Sequence, residues 1–170
     1  MKNTFAILLL ALGCAVSACS DSTDEGQGTS TFTTWGEEYI EEGIPAGGDG
    51  GFVDGWSVKY SKFLFVFGGI TVAESSGAVG ASLGTETLLV DNVVAGKKTL
   101  TSFADLPARA YTQVGYQSLP ATAATRIIAG TQADLDLMVA NGYRIYVEGT
   151  ATGPGSVTKS FRWGFTGTVT

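Results

Sequence analysis

The stretch from Phe52 to Val72 constrains the fold of this chain more than any other. Trp56, Val58 and Tyr60 alternate with Ser57, Lys59 and Ser61, the period-two pattern of a strand with one apolar face. Phe63 to Phe67 is then continuously apolar, which reads as strand buried on both faces. Gly68-Gly69 predicts a bulge or bend before Ile70-Thr71-Val72.

The rest of the body follows the same grammar. Thr31 to Trp35 reads as an edge strand, Glu86 to Val94 as a strand centred on Leu88-Leu89-Val90, and Ala110 to Tyr116 as another. Arg126 to Ala129 reads as a short strand. Tyr143, Ile145 and Val147 open a hairpin with Gly153-Pro154-Gly155 in its turn, and Phe161, Trp163 and Phe165 share one face of the return strand. Gly47 to Gly51, Ser75 to Thr85 and Leu119 to Thr125 read as loops. Glu37 to Glu42 is a short strand or a turn of helix, and Leu100 to Leu106 fits no single pattern. One helix stands out near residues 132–140. Thr131 is its N-cap with Asp134 three residues on, Leu135, Met138 and Val139 fall on one face, and Asn141-Gly142 stops it. The expected fold is therefore mainly β, an antiparallel β-sandwich of seven to eight strands with one short helix. A small barrel is the alternative.

Residue supply excludes several functions. The chain contains no histidine, and its two cysteines, Cys14 and Cys19, lie near the N-terminus. The body therefore lacks an internal disulfide, the commonest general base near neutral pH, and the usual zinc and copper ligands. Its net charge of −6 argues against nucleic acid, which needs a basic footprint.

The N-terminus points to export. Lys2 precedes an apolar run from Phe5 to Leu12, whose eight helical residues would rise only about 12 Å, too short to span a bilayer. Val16-Ser17-Ala18-Cys19 then resembles the lipobox of bacterial lipoproteins. The resemblance covers the first nineteen residues. It implies that residues 1–18 are a signal peptide, that Cys19 is lipidated, and that the mature chain is anchored in the cell envelope. Cys14 is a weaker competitor, with alanine where Cys19 has Val16. Ser20 rather than aspartate after the lipid cysteine leans toward the outer membrane. The alternative is an ordinary secretory signal cut near Ala18. Residues 19–30 read as the lipidated cysteine and a flexible polar tether, and residues 31–170 as the β-sandwich domain.

Candidate sites are sparse. Gly80-Ala81-Ser82-Leu83-Gly84 matches the Gly-x-Ser-x-Gly spacing of a nucleophile elbow, but no histidine is present to serve it. Glu41, Asp49 and Asp54 are candidate calcium ligands around a glycine loop, within an acidic stretch that also contains Glu37, Glu38 and Glu42. The blander reading of that stretch is a solvated acidic edge. Paired carboxylates also suit a glycosidase. Trp56 and Trp163 follow the apolar alternation of their strands and are expected in the core. Trp35 and Tyr146 are the candidate contact residues, with Tyr146 on the Arg144/Glu148 face of its strand. The sequence thus leads to a lipid-anchored envelope protein with a non-catalytic domain that binds a protein or glycan partner. The alternatives are a passive accessory subunit of an envelope complex and a calcium-dependent adhesion module.

Overall fold

Eighteen residues, Ser57–Glu74, form one strand, β2, and four other strands pair directly with it. The computed structural model describes residues 26–167. On one edge β2 pairs first with β8 (Ile145–Gly153) and then with β6 (Tyr111–Ser118). On the other it pairs first with β4 (Thr87–Asp91) and then with β3 (Val79–Ser82). β7 (Arg126–Ala129) adds outside β4, and β9 (Val157–Phe165) outside β8, to complete a seven-stranded sheet. A second sheet contains β1 (Gln27–Thr34) and β5 (Lys98–Pro107), paired antiparallel. The protein is mainly β, with two unequal sheets in a sandwich-like arrangement, as the sequence predicts.

The departures have local causes. β4 and β7 run parallel, because β5 and β6 intervene between them and the long connection returns in the same direction. The expected bulge is present: the β2–β6 register shifts between Gly68 and Thr71, with Gly69 at φ +57. Leu100 to Leu106 belongs to β5, and the loop expected over Ser75 to Thr85 contains β3. Glu38–Glu41 is a single helical turn, α1. Strand begins at Gln27 rather than Thr31, so the expected tether loses its last residues to pairing with β5. The polar residues of β1 gave no apolar alternation to mark this, since half of the strand faces water.

The two faces of the large sheet are covered by different elements. α2 (Gln132–Asn141) packs Leu135 and Met138 against Leu64, Val66, Leu89 and Tyr146. On the opposite face Ile70, Leu88 and Val90 meet Leu100, with Phe32 and Phe103 of the small sheet packed edge to face at 5.8 Å. Each fully buried aliphatic contributes about 1.5–3 kcal/mol, so these two clusters are the main stabilising element. Both lie wholly between residues 32 and 146.

α2 is fastened at its start by a capping box. Thr131 Oγ1 accepts from the Asp134 N–H, and the Asp134 carboxylate accepts from the Thr131 N–H at 2.9 Å and the Thr131 hydroxyl at 2.7 Å. Asp134 is buried and also pairs with Lys62 of β2. This pair turns Asp134 toward the sheet. The buried face of α2 is thus Asp134, Leu135 and Met138, and Val139, expected in the core, is exposed.

Asp134 makes stability depend on acid. Burial pushes its carboxyl up, but the hydrogen bonds from Lys62 and Thr131, with the Lys62 charge, more than offset this and hold it below its ordinary value. A folded-state value below the unfolded one gives stability that is present above the ordinary carboxylate range and is lost as pH falls through the folded value. Urea unfolding between about pH 6 and pH 2 should show this loss, and Asp134→Asn should flatten it. Asp134→Ala should cost about 2 kcal/mol near neutral pH, because Lys62 and the Thr131 cap both lose their partner.

Candidate functional site

Coverage of the large sheet is incomplete. Around Leu64 and Phe65 of β2 the sheet is five strands wide, in the order β7-β4-β2-β8-β9, or about 24 Å at the usual strand spacing. The small sheet has two strands and covers about 10 Å of it. Its contacts fall on the β4 and β7 side, through Leu88, Val90 and Ile128, and on the second half of β2, through Phe67 and Ile70. The β8 and β9 side of the same face is left open. Trp163 is 56% exposed and Phe165 49% exposed there.

This corrects the assignment of the aromatic residues. Trp163, expected in the core, is on the open face, and Trp56 is only half-buried. Tyr146, expected at a contact surface, is 6% exposed. The register pairs it with Leu64 and so places it on the α2 face. Its ring stacks on Tyr143 at 5.8 Å, and its hydroxyl donates to Glu148 Oε2 at 2.7 Å. Burial and the neighbouring Glu148 carboxylate push its phenol up to about 12. Both faces of β8 carry large apolar residues, so alternation alone does not say which face α2 will cover.

A groove runs along the open side. The cross-strand register places Val58 and Tyr60 of β2, Ala151 and Gly149 of β8, and Lys159 and Phe161 of β9 on one face. The middle strand therefore presents nothing larger than a methyl group between two strands with bulky side chains. The glycines are needed for close approach. A Cβ at Gly153 would lie 2.7 Å from the Trp56 ring, and one at Gly149 would lie 2.6 Å from the Phe161 ring. Both rings thus approach the β8 backbone closely. Beside them is a groove of about 370 Å³, floored by Val58 and Ala151 and walled by Phe52, Tyr60, Phe161 and Trp163.

The walls are braced. Tyr60 meets Phe63 edge to face at 5.7 Å and Phe161 at 5.9 Å, and Phe161 stacks on Trp163 at 4.6 Å. Each such pair is worth about 0.5–1.5 kcal/mol beyond burial, so the groove is formed before any ligand arrives. Lys159 also lines it, with its ammonium 5.7 Å from the centre of the Trp56 ring. The arrangement can stack flat or extended apolar groups and offers one positive charge.

The other candidate residues are placed elsewhere. Trp35 is exposed, as expected, but follows β1 in the small sheet and does not line the groove. Glu41, Asp49 and Asp54 are not brought together. Glu41 Oε1 accepts from the Gly96 N–H at 3.2 Å, and Asp54 Oδ1 accepts from the Trp56 N–H at 3.2 Å within its own turn. Among the described residues no group of three or more acidic, histidine or cysteine side chains gathers where a metal would sit. Ser82 ends β3 and accepts from the Gly84 N–H at 3.0 Å, so Gly80 to Gly84 is a strand end and turn rather than an elbow. Cys14 and Cys19 lie outside the described residues. No described helix is long and apolar enough to cross a membrane.

Sequence reasoning missed the groove, although its trace is present. Gly149, Ala151 and Gly153 occupy every second position of β8 after Val147, and each faces larger residues on both neighbouring strands. A Cβ at Gly149 would also lie 2.4 Å from the Lys59 carbonyl oxygen, so Gly149→Ala should displace both the β2 backbone and Phe161. Urea unfolding should report a loss of about 1–3 kcal/mol, whereas a loss below about 0.5 kcal/mol, the ordinary surface range, would mean that β8 is not packed this closely between β2 and Phe161.

Comparison with protein-family models, with curated proteins and with solved structures found no match, so the functional reading rests on this geometry.

Proposed function

We propose that this chain is a cell-envelope protein held by lipid at Cys19, and that its folded part is a non-catalytic binding domain with its ligand site in the groove between β2 and β9. The groove is the observation that carries the binding reading. Exposed aromatic side chains braced over a floor of small residues lose little freedom when a ligand stacks on them, so binding costs little ordering. Such a concave, mainly apolar site with one polar anchor has the ordinary character of a small-ligand pocket.

The anchor reading is supported by the N-terminal pattern of Lys2, the apolar run from Phe5 to Leu12, and Val16-Ser17-Ala18-Cys19. Ser20 favours the outer membrane. From Cys19 to the first strand residue, Gln27, the chain reaches at most about 28 Å. The domain would therefore work close to the lipid surface, and a groove ligand would come from the membrane or its immediate neighbourhood.

A second reading, an accessory subunit of an envelope complex, is favoured by β9. Among the described residues it is the last strand on its side of the sheet, and its pairing with β8 runs without a register shift. Its outer edge is suited to strand addition by a partner.

Two measurements test the proposal. Cys19→Ser should move the protein from the detergent phase to the aqueous phase in a Triton X-114 partition and remove incorporated radiolabelled palmitate. Retention of both would overturn the anchor. For the groove, the chain from Ser20 keeps both core clusters and serves for thermal-shift titrations against glycans and lipids. At least one should give a saturable rise in Tm, and Ala151→Phe, which fills the floor, should abolish it. A rise that survives Ala151→Phe would place the ligand elsewhere.

A further inference from the structure

The chemistry of the groove narrows its ligand, on the premise that the groove is the binding site. We infer that it takes a single-chain anionic amphiphile of the fatty-acid type, with the acyl chain along β8 and the carboxylate on Lys159.

The lining is almost wholly apolar. Phe52, Val58, Tyr60, Ala151, Phe161 and Trp163 offer rings and aliphatic groups, and Ser160 and Lys159 complete the lining. A sugar laid here would bring hydroxyl groups around its whole rim, with few partners to receive them. Each buried hydroxyl left unpaired costs about 1–3 kcal/mol. An acyl chain brings none. Its methylenes contribute about 0.8 kcal/mol each when removed from water.

The groove also has the length for an extended chain. Lys159 and Trp163, which both line it, are four residues apart on β9, about 13 Å along the strand. On β8 the lining offers only the Ala151 methyl. Tyr60 of β2 and Phe161 and Trp163 of β9 wall it with rings on both sides.

A single positive charge stands at the groove. Lys159 makes a cation–π contact with Trp56, and among the described residues no carboxylate lies within ion-pair distance of it. The other cations of these strands are committed to different places. Arg162 pairs with Glu148 at 3.6 Å, and Lys59 Nζ donates to the Glu41 and Glu42 carbonyls at 3.1 and 2.8 Å. Lys159 is thus the one charge among the described lining residues. Its aliphatic stem adds to the apolar wall while its ammonium stays at the water boundary. A ligand with an apolar body and one terminal anion matches both features.

The test titrates the chain from Ser20 with dodecanoate, dodecanol, dodecyltrimethylammonium and a chito-oligosaccharide. Concentrations stay below micelle formation, and tryptophan emission and Tm are read together. Dodecanoate should saturate both signals and bind about tenfold more tightly than dodecanol. Lys159→Ala should remove that advantage and leave dodecanol binding unchanged. Lys159→Glu should reverse the preference toward dodecyltrimethylammonium. Lys159 is exposed, so both variants should unfold in urea like the parent, which separates lost binding from lost folding. Equal affinity for dodecanoate and dodecanol, or a dodecanoate affinity that Lys159→Ala does not change, would overturn the charge assignment. Saturable oligosaccharide binding that Ala151→Phe abolishes, with no amphiphile binding, would overturn this inference and keep the groove. Amphiphile binding unchanged by Ala151→Phe would overturn both.

Discussion

The length of β2 is the constraint on which the rest of the structure depends. Eighteen residues of extended chain run about 60 Å, longer than any one of its neighbours. Every backbone N–H and C=O along it needs a partner. The chain answers with four strands taken in succession, two on each edge. The bulge at Gly68-Gly69 lies where β8 gives way to β6. Because Phe63 to Phe67 presents large side chains on both faces, both faces then need cover. α2 supplies it on one side and the β1–β5 sheet on the other.

That cover is unequal, and the inequality makes the groove. A short helix suffices on its face, because Lys62 and Asp134 tie it down and Tyr146 closes the edge of the cluster. A two-stranded sheet cannot span five strands, so the β8–β9 side of the opposite face stays in contact with water. Aromatic side chains there brace each other rather than disappear into a core. Glycine and alanine on β8 let two rings settle close to the backbone and give the trough beside them a low floor. The groove is thus the uncovered remainder of the same apolar face that builds the second cluster.

Legibility in the sequence followed physical range. The α2 cap, its Gly142 stop and the hairpin turn at Gly153-Pro154-Gly155 were readable because each depends on residues a few positions apart. Strand positions were readable wherever apolar alternation was clean, as from Trp56 to Tyr60. β1 and β5 were harder, since their pairing spans some seventy residues and their outward residues are polar. Trp163 and Tyr146 were assigned to each other's environments. The alternation of β9 shows that Phe161, Trp163 and Phe165 share a face, but alternation does not say whether another element covers that face, and α2 packs on the opposite one, with Tyr146. Glu41, Asp49 and Asp54 are near each other in sequence, but backbone groups engage Glu41 and Asp54 at separate turns.

The sequence by itself determined the class of the protein. Period-two alternation, glycine punctuation and one capped helix require a β-rich body, because local sterics and burial leave no other use for those residues. The lack of histidine and body cysteine likewise limits the chemistry before any fold exists. Tertiary structure alone decided which strands are neighbours, which apolar face is covered, and therefore which aromatic residues meet water. Those outcomes depend on the relative widths of two sheets and on a cross-strand register, and no local pattern encodes either. The groove follows from them: its floor, walls and charge come from three strands that share a face only after β2, β8 and β9 are aligned.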